Sequence, residues 1–184
     1  IFTILMANSL HAQLSAGEMA FIAFSADADD DFALVNFVDI LANTIVYFTD
    51  SEWDGSAFGT DENDFSWNSG ASVISEGTVI TCNTISATAS VSVGTIVGAP
   101  GGISGSAEAI FAFLGTTPRT PTIFITAVAN SDAASSSLDN TGLTAETTAI
   151  TYPTGTDVAQ YIGPRTGLQA NGYLIALNDI ANYT

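Results

Sequence analysis

Short runs rich in β-branched and aromatic residues recur along this chain, each closed off by Gly, Asn, Asp, Ser or Pro. They are Met19 to Ser25, Phe32 to Ile40, Thr44 to Thr49, Asp64 to Trp67, Thr78 to Asn83, Val91 to Val97, Ala109 to Leu114, Thr122 to Ala129, Thr147 to Tyr152 and Asp157 to Ile162. None has the length of an ordinary helix, and closely spaced strands without intervening helical patterns predict an antiparallel sandwich. The expected fold class is all-β, immunoglobulin-like or jelly-roll-like. In Met19 to Ser25, Phe21, Ala23 and Ser25 alternate with Ile22 and Phe24, yet both sets are fairly apolar. Strands covered on both faces read this way. Leu174, Leu177, Ile180 and Ala181 instead follow helical spacing, which predicts a short C-terminal helix weakened by Gly172.

With 184 residues, one core is expected over residues 14–184. Residues 1–13 stand apart. Ile1 to Ala7 are apolar, and Asn8-Ser-Leu-His-Ala12 then leads to Gln13. Two readings stand: the remnant of a secretory signal peptide cleaved after Ala12, or a retained donor strand whose Ile1, Phe2, Ile4 and Leu5 pair with a neighbour's sheet edge. No other stretch approaches the roughly 20 apolar residues of a membrane-spanning helix, so no membrane insertion is expected.

The formal net charge is −17, with Arg119 and Arg165 the sole permanent cations and no lysine. Nucleic acid is thereby excluded as a partner on electrostatic grounds, because binding begins with phosphate neutralisation. Anionic membranes are disfavoured for the same reason. Self-association, other surface proteins and neutral glycans stay open. Missing lysine also leaves sheet edges without their most frequent charged guard, which favours assembly by edge pairing. The lone Cys82 lies in an apolar run and is expected to be a small buried hydrophobe.

Eleven of the nineteen carboxylates fall between Asp27 and Asp64. Carboxylates so dense repel one another unless a hard cation or water screens them, which points to calcium or a solvated acidic rim. Asp50, Glu52, Asp54 and Asp61 occupy positions one, three, five and twelve of a loop with Gly55 at six, the spacing of an EF-hand loop. Glu at position three and the short Asp at twelve depart from that pattern. Asp27, Asp29 and Asp31 form a weaker i, i+2, i+4 set. One ion shared between the two loops, through Asp29 or Asp31 and Asp50 or Asp54, would tie one end of a sandwich together.

Read in order, Leu14-Ser-Ala-Gly17-Glu18-Met-Ala-Phe-Ile-Ala-Phe, Asp29-Asp-Asp-Phe-Ala-Leu-Val, Ile45-Val-Tyr-Phe-Thr-Asp50-Ser-Glu-Trp53, Phe65-Ser-Trp67, Gly77-Thr-Val-Ile-Thr and Gly105-Ser-Ala-Glu-Ala-Ile-Phe-Ala-Phe resemble an N-terminal module of large bacterial secreted proteins, often type IX secretion cargo. The order of strand, acidic turn, Trp and Gly-Thr-Val is also similar to lamin-tail-like sandwiches. The resemblance covers most of residues 14–183. It implies an extracellular immunoglobulin-like β-sandwich used as an accessory or surface module, and it carries over no catalytic residue.

No enzyme is expected. His11 is the one histidine, so Ser-His-Asp and Cys-His catalysis lack a part. Glu52, Asp54 and Glu62 near Trp53 match the residue types of a glycosidase, but acidic pairs are inevitable in so acidic a stretch. The leading expectation is a secreted, calcium-assisted structural or adhesive protein that self-associates into a filament or surface assembly. The alternative is a soluble calcium-dependent carbohydrate-binding module with Trp53 as its stacking ring, while Trp67 belongs to the core.

Overall fold

A computed structural model describes residues 13–27, 29–98, 101–105, 107–130 and 137–184. Ile1, Phe2, Ile4 and Leu5, and with them both readings of the N-terminal segment, lie outside the described residues. The strands are β1 (Met19–Ser25), β2 (Asp31–Asn36), β3 (Ile45–Thr49), β4 (Asp64–Asn68), β5 (Val79–Asn83), β6 (Ser90–Val91), β7 (Thr95–Gly98), β8 (Ala109–Thr117), β9 (Thr120–Ala129), β10 (Ala149–Thr151) and β11 (Val158–Gln160). A helix α1 (Ala170–Leu177) and a 3₁₀ turn (Ile180–Asn182) follow.

Two sheets form an all-β sandwich. The first has the order β11-β1-β2-β5-β6 and the second β10-β9-β8-β3-β4-β7. Pairings between neighbours are antiparallel except β9 with β10, which run parallel. The long connection between those two strands makes that direction possible, since a tight hairpin would enforce the opposite one.

Phe21, Phe24, Phe32, Leu34 and Ile80 from the first sheet meet Phe48, Trp67, Ile110 and Ile125 from the second in the main core. The outer faces also carry packing segments, over β8 and β9 of the second sheet and over the first sheet in part. Trp53, Phe58 and Leu143 pack over Phe111, Phe113 and Phe124 on the second sheet. Leu177, with Leu174 beside it, packs on Ala20 and Tyr161 of the first. Double coverage explains why Ala109 to Leu114 reads as one unbroken apolar run.

Two expectations change in detail. Phe21 and Phe24, expected on opposite faces, both enter the main core because a β-bulge between Phe21 and Ala23 re-phases β1. The run Val91 to Val97, expected as one strand, is two: β6 joins the first sheet and β7 the second. Gly94, at φ +81°, makes that crossing.

Cys82 is 1% exposed in the main core, and burial pushes its thiol up to about 12, as expected of an inert packing residue. Among the described residues no helix is long and apolar enough to cross a membrane. The chain's last residues run beside β11: Gln160 and Thr184 exchange backbone hydrogen bonds of 3.0 and 3.1 Å, which covers that edge of the first sheet.

Candidate functional site

At one end of the sandwich the β1–β2 turn, the β3–β4 loop, the β5–β6 loop and the β7–β8 loop converge. Phe32, Asp50, Asn63, Ile85 and Gly101 from these elements line one crevice of about 10 Å³, the room of a single water molecule. Close approach of the loops depends on Gly101, because a Cβ there would lie 1.8 Å from Asn63 Nδ2.

The β3–β4 loop does not curl round a centre as an EF-hand loop does. It folds back as a small hairpin: Trp53 bridges Phe58, the Asp54 amide donates to the Ala57 carbonyl at 3.1 Å, and the Gly59 amide donates to the Glu52 carbonyl at 2.9 Å. The apolar contacts of Trp53 and Phe58 with the second sheet drive that reversal. Asp54 sits at the exposed tip. Its Oδ1 accepts from the Ala57 and Ser56 amides and the Ser56 hydroxyl at 2.7–2.8 Å, and these bonds hold its pKa below the usual carboxylate value.

The base of the same loop is where charge gathers. The Asn63 amide donates to Asp50 Oδ1 at 2.9 Å, yet burial raises the Asp50 pKa. Glu62 rises from 4.5 to about 7, first through burial and then through the negative charges of Glu52, Asp50 and Asp61. Its Oε2 is buried without a hydrogen-bond partner. Glu108, directly before β8, is 5% exposed and also rises to about 7 through burial, with Glu62 and Asp50 adding to the shift. Amides of Ser104 and Ala109 donate to Glu108 at 3.0 and 3.2 Å and partly offset it. Glu52 Oε2 and Asp61 Oδ1 lie 3.7 and 3.0 Å from where a Gly59 Cβ would stand.

Arg119, in the β8–β9 turn, fastens this base. Its Nε donates to Asp64 Oδ2 at 2.9 Å, and its Nη atoms donate to the carbonyls of Gly59 and Glu62. One cation thus holds both ends of residues 59–64 against β8 and β9.

The seven expected metal ligands therefore separate. Asp50, Glu52 and Asp61 each lie near enough to Glu62 to raise its pKa, and Glu62 and Asp50 do the same to Glu108; the loop spacing had indicated neither Glu62 nor Glu108. Asp54 is taken up by its own turn. Asp27, Asp29 and Asp31 stay with the β1–β2 turn, where Asp31 Oδ1 accepts from the Thr84 amide at 2.6 Å and the Asp29 carbonyl accepts from the Ser86 hydroxyl at 3.1 Å. Among the described residues no three or more His, Cys, Asp or Glu side chains are arranged to hold a metal ion. Glu108 had one sequence signal: it is the sole acid between Glu76 and Asp132, placed directly before a buried strand.

Trp53 is corrected. It is 6% exposed, its Nε1 donates to the Asp139 carbonyl at 2.8 Å, and its ring lies edge-on to Phe58 and Phe124. A ring so enclosed offers no face to a sugar. Trp67 is 1% exposed in the main core, as expected.

Comparison of the chain with protein-family models, with curated proteins and with solved structures finds no match in any of the three.

The raised acids make a pH prediction. In the folded chain Glu62 and Glu108 titrate near 7, whereas unfolded they titrate near 4.5. Between these values the folded state binds more protons, so stability falls as pH rises through that window. After discounting for solvent screening, the Glu108 contribution corresponds to a Tm about 2–4 °C lower at pH 8 than at pH 5. Thermal melts of Glu108→Gln should show a shallower slope than the parent, and an unchanged slope would remove Glu108 from this account.

Proposed function

We propose that this chain is a non-enzymatic extracellular β-sandwich, a structural or adhesive module that associates with copies of itself through an open sheet edge and is steadied at its acidic end by calcium. The observation that carries the assembly reading is β7. It ends the second sheet, pairs with β4 on one side, and leaves Val97 62% exposed. Residues 89–98 contain no charge and no proline. Strand edges in monomeric proteins are ordinarily blunted by charge, proline or a covering segment, and β7 has neither of the first two. Extracellular placement rests on the resemblance to secreted modules and on the high acidic charge, which keeps a protein soluble in a salty medium.

Sedimentation velocity and negative-stain microscopy of the secreted protein should show concentration-dependent polymer, and Val97→Lys should return it to single particles. Dispersed particles from the unaltered chain at high concentration would sink the assembly reading.

Support for calcium comes from the acids at the loop base, where Glu62 Oε2 is buried without a hydrogen-bond partner and burial, followed by its negative neighbours, raises its pKa. A divalent cation would lower the mutual repulsion of Asp50, Glu52, Asp61 and Glu62, and because these side chains are not arranged around one point it would bind by drawing the loop base together. Saturating calcium at about 100 times Kd is expected to add about 2.7 kcal/mol, raising Tm by about 5–10 °C. Asp50→Asn combined with Glu62→Gln should abolish that shift. Equal melts in calcium and in chelator would end the calcium reading. The carbohydrate-binding alternative loses its stacking ring with the burial of Trp53.

A further inference from the structure

The first sheet carries a groove on its outer face, on the side away from the main core. It encloses about 900 Å³, far larger than the crevice at the acidic end, and lies within the size range of ligand sites. Ile22, Val35, Phe37 and Val79 line its sheet side, and Leu168 and Leu177 line the side formed by α1 and the segment before it. Helix α1 is too short to cover the whole sheet face. Val79 remains 46% exposed and Leu168 37%. On the second sheet the comparable outer face is filled by Trp53, Phe58 and Leu143, so the open groove is a difference between the two faces.

Arg165 lines the same groove. Its Nη2 donates to the Tyr161 carbonyl at 3.2 Å, and among the described residues it has no carboxylate within ion-pair distance. This is informative in a chain with nineteen acids and two arginines. The other arginine, Arg119, is held by Asp64 and two carbonyls, whereas Arg165 is exposed and keeps guanidinium donors for an outside acceptor. Glu76 is the one carboxylate lining the groove, and Asp39 Oδ1 accepts from its backbone amide rather than from any group on Arg165. A long apolar floor beside one uncommitted guanidinium is complementary to a molecule with an apolar body and one anionic end.

We propose that this groove binds a long-chain carboxylate, with the aliphatic chain along Ile22, Val35 and Val79 and the carboxylate on the Arg165 guanidinium. The chemistry favours it over a neutral sugar, because the large exposed apolar side chains of the groove, Val79 and Leu168, are aliphatic, while its rings, Phe37, Tyr161 and Tyr173, are half-buried or buried. Burying methylenes there supplies affinity in proportion to chain length. The guanidinium fork selects the anionic end, at a place where the surrounding protein, at net charge −17, would otherwise repel it.

Isothermal titration with dodecanoate below its micellar concentration tests this on the full chain, with dodecanol and glucuronate as controls. Dodecanoate should bind, octanoate more weakly, and the two controls at least about tenfold more weakly than dodecanoate. Arg165→Gln, a substitution at an exposed position outside the core, should weaken dodecanoate about tenfold while leaving the circular dichroism spectrum unchanged. Val79→Glu, also at an exposed position, should weaken it through the floor. No dodecanoate binding, or glucuronate binding as tightly as dodecanoate, overturns the proposal. Dodecanol binding equal to dodecanoate, or an Arg165→Gln chain binding like the parent, overturns the assignment of the carboxylate to Arg165.

Discussion

Trp53→Ala is expected to lower the stability of this protein by about 3–5 kcal/mol, the usual cost of emptying a large aromatic site in a core. The indole is enclosed between Phe58 and Phe124, with ring centroids 4.9 and 5.0 Å away. Its hydrogen bond to the Asp139 carbonyl ties the β3–β4 hairpin to the segment that leads towards β10. Alanine removes the packing and strands that carbonyl, while Trp53→Phe keeps most of the volume and should cost less. Urea denaturation followed by circular dichroism measures both. The loss also separates two roles for the residue. A stacking platform could be truncated with little change in the denaturation midpoint, so an unchanged midpoint would return Trp53 to the surface.

Gly94→Ala is expected to cost about 2–5 kcal/mol, combining left-handed backbone strain with overpacking. Gly94 has φ +81° where the chain passes from β6 in one sheet to β7 in the other. A Cβ there would stand 2.3 Å from the Asn68 carbonyl oxygen and 2.6 Å from Trp67 Nε1. Trp67 cannot easily yield, because Nε1 donates to the Val93 carbonyl at 2.7 Å and the ring fills the main core. Gly77→Ala is the matched control: its φ is +77°, but nothing lies within 4 Å of the added carbon. Only the strain, about 1–2 kcal/mol, should be lost there. The difference between the two midpoints reads the steric contribution at the crossing. Equal losses would mean that β7 can shift away from Trp67 without penalty.

β7 is also the edge on which the assembly reading rests. A substitution that displaces it should alter association as well as stability. Sedimentation of Gly94→Ala at a temperature where it remains folded therefore bears on both readings.

The strand positions were legible because β-branched and aromatic runs between turn formers are a local property, and each observed strand overlaps an expected run. Coverage of both strand faces was legible too, in Met19 to Ser25, where both alternating sets are fairly apolar. Phasing was less so: the bulge in β1 places Phe21 and Phe24 on the same side, and no rule of strict alternation anticipates an extra residue. The break at Gly94 likewise depends on the backbone of Asn68 and the ring of Trp67, which approach from another strand.

What the residues by themselves determined is the all-β class, the buried state of Cys82 and Trp67, and the concentration of negative charge in the first third of the chain. Those follow from composition and short-range periodicity. Tertiary structure alone decided which charges meet. The adjacency of β3 with β4 and β8 brings Glu62 and Glu108 to Asp50, and the β8–β9 hairpin delivers Arg119 to the carbonyls of Gly59 and Glu62. It also turned Trp53 inward and left Arg165 beside an open apolar groove. The reason is physical: spacing along the chain sets which residues share a strand face, while strand order, a long-range result of packing, sets which loops become neighbours.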